Sequence, residues 1–272
     1  MLKTRIITAL IILPATLAAV FLAPPWLFRI MVAVLLLAGC SEFRRIADLG
    51  PRAGWILLTL QAVVFIFLLL AWPIPRPVAV GLLAAACGAW VLQFTRLSRF
   101  HAGDQPNDRF RRLGFLSAIG SLSFGFFALC WLRDQDNGAI VIFLLFLLIW
   151  ASDVGAYFSG RLLGRHKLAP QISPKKTWEG VYGGVALAIA AAFLVARVLG
   201  GFDVSAAALV ALAVVTALAS VGGDLFISIH KRTVALADTG SLFPGHGGVL
   251  DRYDSLLAGA PFYALAYALL VQ

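Results

Sequence analysis

Asp224, Lys231, Arg232, Asp238, His246, Asp251, Arg252 and Asp254 fall in one stretch bracketed by two apolar segments. Helix packing in a hydrophobic chain needs none of these charges, so their density reads as a site. If the helix before Asp224 continues, Asp224, Ser228 and Lys231 stand at i, i+4 and i+7 and share a face. An acid, a hydroxyl and an amine then project together. Pro244-Gly245-His246-Gly247-Gly248 demands a sharp turn, since glycine tolerates positive φ and lets backbone approach a ligand closely. Asp251 and Asp254 follow at i, i+3 on the next helix, with Arg252 between them. Hard oxygen donors at this spacing suit Mg²⁺, which takes one or two carboxylates and completes its shell with water and phosphate. Without a cation, three acids beside a bilayer would repel one another. A metal site at Asp224, Asp251 and Asp254 is therefore expected.

A second polar loop runs from Asp153 to Gly180. Asp153 closes the apolar run IVIFLLFLLIWASD, where an ionisable group is costly and reads as functional; the plainer alternative is a water-exposed helix end. Ser173-Pro174-Lys175-Lys176-Thr177 precedes a helix expected to start near Trp178. Two lysines and hydroxyls beside a helix N-terminus suit phosphate, through charge and free backbone N–H groups. The alternative is that Lys175 and Lys176 only fix topology.

The elements that must position these residues are membrane helices. At 61% hydrophobic, 13% charged and a mean hydropathy of +0.92, the chain departs from soluble domains, in which about a quarter of residues are charged. Nine candidate spans are read at about 6–24, 27–41, 54–73, 77–95, 114–132, 138–158, 179–199, 204–225 and 256–271. The second and ninth are short, and the second is read as partly interfacial. Continuous apolar runs exclude a β-barrel, whose strands alternate. Lys3 and Arg5 before the first run resemble a signal peptide, but more membrane helices follow rather than a polar mature domain. The expected fold is an all-α integral membrane protein, a polytopic bundle of about nine transmembrane helices. It forms a single domain over 1–272, in which 1–113 supplies N-terminal helices and 114–272 carries the site.

The basic excess, 22 Lys+Arg against 13 Asp+Glu, follows topology. With the N-terminus inside, only Arg29, Arg76, Arg133 and Arg197 fall on the outer side. This is the positive-inside asymmetry, and no nucleic-acid partner is needed to explain it. The loops at 96–113, 159–178 and 228–254 then share the cytosolic side, and Gln272 lies opposite. The 96–113 loop reads as a solvated linker facing lipid headgroups. Cys40, Cys87 and Cys130 are scattered through predicted spans and read as buried thiols rather than zinc ligands. No internal repeat is evident, which counts against a transporter for an anionic substrate.

The segment GDLFISIHKRTVALADTGSLFPGHGGVLDRYDS, Gly223 to Ser255, closely resembles the signature of the phosphatidate cytidylyltransferase (CDP-diacylglycerol synthase) family. ASDVGAYFSGRLLGRHKLAPQISPKKTWEG resembles that family's other distinctive stretch. The resemblance implies transfer of CMP from CTP to phosphatidate, giving CDP-diacylglycerol and pyrophosphate for phospholipid synthesis. It implies an enzyme of the cytoplasmic (inner) membrane with its site facing the cytosol, and a homodimer is the expected assembly. Asp224, Lys231, Asp251 and Arg252 are then the expected catalytic residues, and Mg²⁺ the expected cofactor. Ser173, Lys175, Lys176, Ser228, Arg232, His246, Gly247 and Gly248 are the expected substrate contacts. A phosphate nucleophile is already ionised at neutral pH, so His246 is expected to orient the turn or touch phosphate rather than act as a base. Two positions depart from the family: Ala237 stands where lysine is usual and His230 where an aliphatic residue is usual. An inactive relative of the family is the alternative these departures raise.

Overall fold

The computed structural model describes residues 2–199 and 204–271. Gln272, and the side chains of Lys3 and Arg5, lie outside what is described. Helices α1 (Leu2–Phe21), α2 (Pro25–Ile46), α3 (Pro51–Leu70), α4 (Arg76–Phe94), α5 (Asp108–Arg133) and α6 (Gly138–Leu163) come first. A two-stranded antiparallel hairpin, β1 (Lys167–Ala169) and β2 (Ser173–Thr177), follows. Helices α7 (Trp178–Leu199), α8 (Ala206–Thr233) and α9 (Leu250–Leu270) complete the described chain. Among the described residues, α2 to α8 are seven helices long and apolar enough to cross a membrane. This is a helical, multi-pass membrane architecture.

Three expectations are corrected here. The second span is not short: α2 runs for 22 residues, because Pro25 opens it and the polar Ser41-Glu42-Phe43-Arg44-Arg45 tail stays helical. The ninth span, read as short, is a 21-residue helix that begins at Leu250, because the polar 251–255 stretch is helical too. The segment before Trp178 is not an open loop but strand β2, closed against β1 by the Trp178 N–H donating to the His166 carbonyl (2.9 Å).

The bundle is apolar outside as well as inside. Trp55, Phe67 and Leu70 on α3 and Leu92 on α4 project outward, where lipid rather than water suits them. Buried polar groups pair between helices: Gln61 Nε2 donates to Ser123 Oγ (3.0 Å), and Tyr263 Oη donates to the Val141 carbonyl (3.2 Å). Three of the four basic residues expected on the outer side hold their neighbours at the bundle end away from the hairpin. Arg29 pairs with Asp134 at 2.7 Å, Arg76 donates to the Ala268 carbonyl and Arg133 to the Ala23 carbonyl.

Helices α6 and α7 lie unusually close together. A Cβ added at Gly155 would strike the Gly183 carbonyl, and one at Gly183 would strike the Ser159 side chain. Small residues let membrane helices approach backbone to backbone, and this contact fixes where the hairpin between them emerges. Helix α8 spans 28 residues, about 42 Å at 1.5 Å per residue. That exceeds a hydrocarbon core of about 30 Å, so an end of α8 must stand clear of it. Its last turns carry Asp224, Ser228 and Lys231.

Candidate active site

Four elements converge on the charged end of α8. The first is the hairpin. Strand alternation sends successive side chains to opposite faces, so Lys175 is exposed while Lys176 turns inward. The Lys176 Nζ meets Asp224 Oδ2 at 2.5 Å. Thr177 Oγ1 accepts from the Gly180 N–H (3.1 Å), which caps α7 and explains why the helix begins at Trp178. Ser173 stands at the start of β2, two residues from the exposed Lys175.

The second element is α8 itself, which continues past Asp224 as its spacing requires. Ser228 Oγ donates to Asp224 Oδ1 (3.1 Å), one turn along the same face. Lys231, the next residue on that face, donates through Nζ to Asp251 Oδ1 at 2.7 Å. Arg232 turns away, its Nε donating to the Ile172 carbonyl in the hairpin (3.4 Å). His230 is fully buried: its Nδ1 lies 2.9 Å from the Phe226 carbonyl and its ring packs against Phe43, Phe110 and Phe226. It cannot supply a cation to a phosphate in place of the lysine missing at Ala237.

The third element is the turn before α9. Gly245 and Gly247 take φ of 77° and 84°, conformations glycine adopts without strain. Asp251, in the first turn of α9, reaches back with Oδ2 to accept from the Gly248 N–H (2.9 Å), the Thr239 N–H (2.7 Å) and Thr239 Oγ1 (3.0 Å). This is the backward half of a capping box. Burial pushes the Asp251 carboxyl up, but the Lys231 ammonium and the Gly248 and Thr239 N–H groups outweigh it and hold the group below its ordinary value. Arg252 Nε donates to the His246 carbonyl (2.8 Å), clamping the other side of the turn. The His246 Nδ1 is buried without a partner among the described residues.

The fourth element was missed from sequence. Glu42, in the tail of α2, is buried and accepts from Thr239 Oγ1 (2.8 Å), the Val249 N–H (2.9 Å) and the Leu250 N–H (3.0 Å). It therefore satisfies orphan donors at the start of α9 from a distant helix. A Cβ at Gly240 or Gly248 would collide with its carboxylate, so both glycines make room for it. A lone acid in SEFRRIADLG gives no local signal of this, because its partners lie about two hundred residues on.

Asp254 accepts from the Ser255 N–H (2.7 Å) and lies near enough to Asp224, Lys176 and Lys231 to feel their charges. Asp153 on α6 likewise feels Lys176 and Asp224. The helices approach closely here because Gly223 of α8 faces the Asp254 carbonyl. Asp153, Asp224, Asp251 and Asp254 thus share a small region with the ammonium groups of Lys176 and Lys231. No three Asp, Glu, His or Cys side chains among the described residues close around one point as a metal cage.

A cavity of about 330 Å³ has Asp153, His246, Asp251, Arg252 and Asp254 on its walls. A second, of about 340 Å³, is almost wholly apolar and is walled by α1, α2, α5 and α9. The two share Ile12, Thr16, Phe146, Tyr253 and Leu256 as common wall, so an apolar hollow adjoins the charged one. Helix α1 is tied to the glycine turn by Thr8 Oγ1, which donates to the Pro244 carbonyl (2.8 Å).

Comparisons with known proteins place the whole chain in one family. The model of the cytidylyltransferase family matches residues 3–270. The chain is 33% identical to a phosphatidate cytidylyltransferase of Haemophilus influenzae, with 98% of this chain and 99% of the relative covered. It is 35% identical to one of Pseudomonas aeruginosa, covering 97% and 96% respectively. A phosphatidate cytidylyltransferase of Helicobacter pylori is 45% identical over 148 residues, about half of each chain.

Proposed function

The chain belongs to the cytidylyltransferase family, and from that premise we propose that it transfers CMP from CTP to phosphatidate, releasing pyrophosphate and leaving CDP-diacylglycerol. One observation carries the reading beyond family membership: a charged cavity and an apolar cavity share a wall at the acid cluster. That pairing suits a reaction between a water-soluble nucleotide and a lipid. A phosphate oxygen of phosphatidate attacks the α-phosphorus of CTP, and the bond from that phosphorus to the oxygen bridging to the β-phosphate breaks. Pyrophosphate leaves with that electron pair. The nucleophile is already ionised, so no base is required.

The work left to the protein is positioning and charge compensation between two anions. Lys176 and Lys231 hold cationic charge on Asp224 and Asp251 of the acid cluster, and Arg252 lies on the cavity wall. His246 offers its unpartnered Nδ1 to a substrate. Ser228, bonded to Asp224, orients that carboxylate. Gly247 and Gly248 shape the turn beside the phosphates, while exposed Lys175 and Arg232 and half-buried Ser173 line the approach rather than the centre.

Mg²⁺ fits the donor set. Four carboxylates against two ammonium groups leave an excess of negative charge, and Mg²⁺ needs only one or two carboxylates. Asp224 and Asp254 would hold it; Asp251 could join only by giving up Lys231 at Oδ1, since its Oδ2 is engaged by the turn. The ion supplies neutralisation of phosphate charge.

All nine helices are proposed to cross the inner membrane, with the hairpin and the 228–254 segment on the cytosolic side where CTP is available. The protein is expected to act as a homodimer, which cross-linking in membranes checks. The activity is tested with CTP labelled separately at the α- and γ-phosphates. The α-label must enter the lipid fraction and the γ-label must leave as pyrophosphate.

A further inference from the structure

On the far side of α8 from the acid cluster lies a third hollow, of about 330 Å³, which the reaction does not use. It is reached by Ile229 and Thr233, which helical periodicity places opposite the face bearing Asp224, Ser228 and Lys231. Its remaining walls come from Arg96 and the adjoining 3₁₀ turn Leu97–Arg99, the loop over 100–107 and the start of α5. Three arginines, Arg96, Arg99 and Arg109, line it.

Their pairing is unusual for this protein. Arg111, on the same helix as Arg109, has two acids, Asp48 at 2.8 Å and Asp108 at 3.3 Å. Arg96 has only neutral partners, Gln93 Oε1 (2.7 Å) and Ser117 Oγ (3.0 Å). The side chains of Arg99 and Arg109 have no hydrogen-bond or ion-pair partner among the described residues. The one carboxylate on the wall, Asp104, accepts from the His101 N–H (3.1 Å). Topology alone asks for arginines on this side of the membrane; it does not ask that three line one cavity with a single acid. Phe100 and Phe110 complete the wall, so the hollow offers both planar cations and apolar surface. Guanidinium forks match phosphate oxygens in geometry and charge.

We propose that this cavity is a binding site for a phosphate-bearing anion, separate from the site of CMP transfer. The phosphate belongs either to an anionic phospholipid headgroup or to a soluble phosphate compound, and the recognition chemistry is the same. Occupancy would also bear on the hairpin: the Ala102 N–H donates to Gln171 Oε1 (2.9 Å), which ties this loop to the segment carrying Lys176.

The test uses the full chain in neutral detergent, with dioctanoyl-phosphatidylglycerol and inorganic pyrophosphate as separate calorimetric probes. Pyrophosphate is titrated into Lys231→Gln protein, so that binding at the transfer site is weakened. Arg99→Gln and Arg109→Gln lie on different segments and are exposed, so each serves as a check on the other, with unfolding midpoints recorded for both. Each should weaken the bound probe about fivefold or more, the loss expected for one partly exposed charge-assisted contact. Arg112→Gln, an equal change of charge on α5 outside the cavity, should leave affinity within about twofold. Weakening confined to phosphatidylglycerol assigns the site to a lipid headgroup; weakening confined to pyrophosphate assigns it to a soluble phosphate; weakening of both supports the shared phosphate. Absence of saturable binding by either probe overturns the proposal. So does an affinity that neither arginine change alters, or one that Arg112→Gln lowers equally.

Discussion

Lys176 of the hairpin and Asp224 of α8 meet at 2.5 Å, although 48 positions and the whole of α7 separate them in sequence. The pair joins the two polar loops into one site. Its formation depends on strand alternation, because a shift of one residue in β2 would present Lys175 instead. Replacing Lys176 with Gln should therefore lower CMP transfer by at least about tenfold, the loss of one charge-assisted contact. Lys175→Gln should stay within about threefold, as for an exposed charge. Initial rates of CDP-lipid formation decide it, and equal losses in the two variants would contradict the assigned faces.

Glu42 holds three donors of the 239–250 segment in a buried setting. Glu42→Ala leaves those donors unpaired, at a cost of about 1–3 kcal/mol each in the worst case. The expected outcome is an unfolding midpoint lowered by several degrees together with most of the turnover, since the glycine turn and Asp251 depend on that anchor. A variant with full activity and an unchanged midpoint would remove Glu42 from the account.

Gly247 is a sharper probe of the turn. At φ of 84°, a Cβ would meet the Asp251 carboxylate. Gly247→Ala should cut turnover strongly while leaving the helical circular dichroism signal intact. The sensitive readout is the rate, since the strain falls on the turn and not on the bundle.

The two polar segments of the candidate site were legible in the sequence because their signals are local. The face shared by Asp224, Ser228 and Lys231 follows from helical spacing, and the sharp PGHGG turn follows from glycine. The start of α7 at Trp178 follows from Thr177 as its cap. What stayed hidden depends on contacts between distant parts of the chain. Strand β2 carries proline and two lysines, a composition without strand signal, and is held by its closure against β1. Glu42 looks like one acid in a basic loop until α9 is brought against it. Asp251 reads as a metal ligand from spacing alone, whereas the fold also makes it the cap of the 245–251 turn and the partner of Lys231. Hydropathy located all nine α-helices of the described residues, seven of them long and apolar enough to cross a membrane; α2 was read short because Glu42 and Phe43 in its polar tail are buried in the protein and do not end the helix.

Ala237 is exposed beside Asp238 in the loop before the turn. His230 is buried and Arg232 turns to the Ile172 carbonyl, so neither stands in for a lysine there in this arrangement. Ala237→Lys should lower the KM for CTP by roughly tenfold if the new ammonium reaches the phosphates, as one charge-assisted contact is worth about 1.5–3 kcal/mol. CTP titrations at matched phosphatidate check this. An unchanged or higher KM would show that the alanine does not weaken the nucleotide site.

The central claim is that the acid cluster around Asp224 is where CMP passes from CTP to a lipid. The most direct measurement follows α-labelled CTP into lipid, with purified protein, phosphatidate and Mg²⁺, for the natural chain and for Asp224→Asn. The account predicts labelled CDP-diacylglycerol from the natural chain, its loss on chelation of the metal, and a fall of at least about tenfold to a hundredfold in the variant. Near-normal transfer by Asp224→Asn at limiting Mg²⁺, or no labelled lipid from the natural chain, would contradict it.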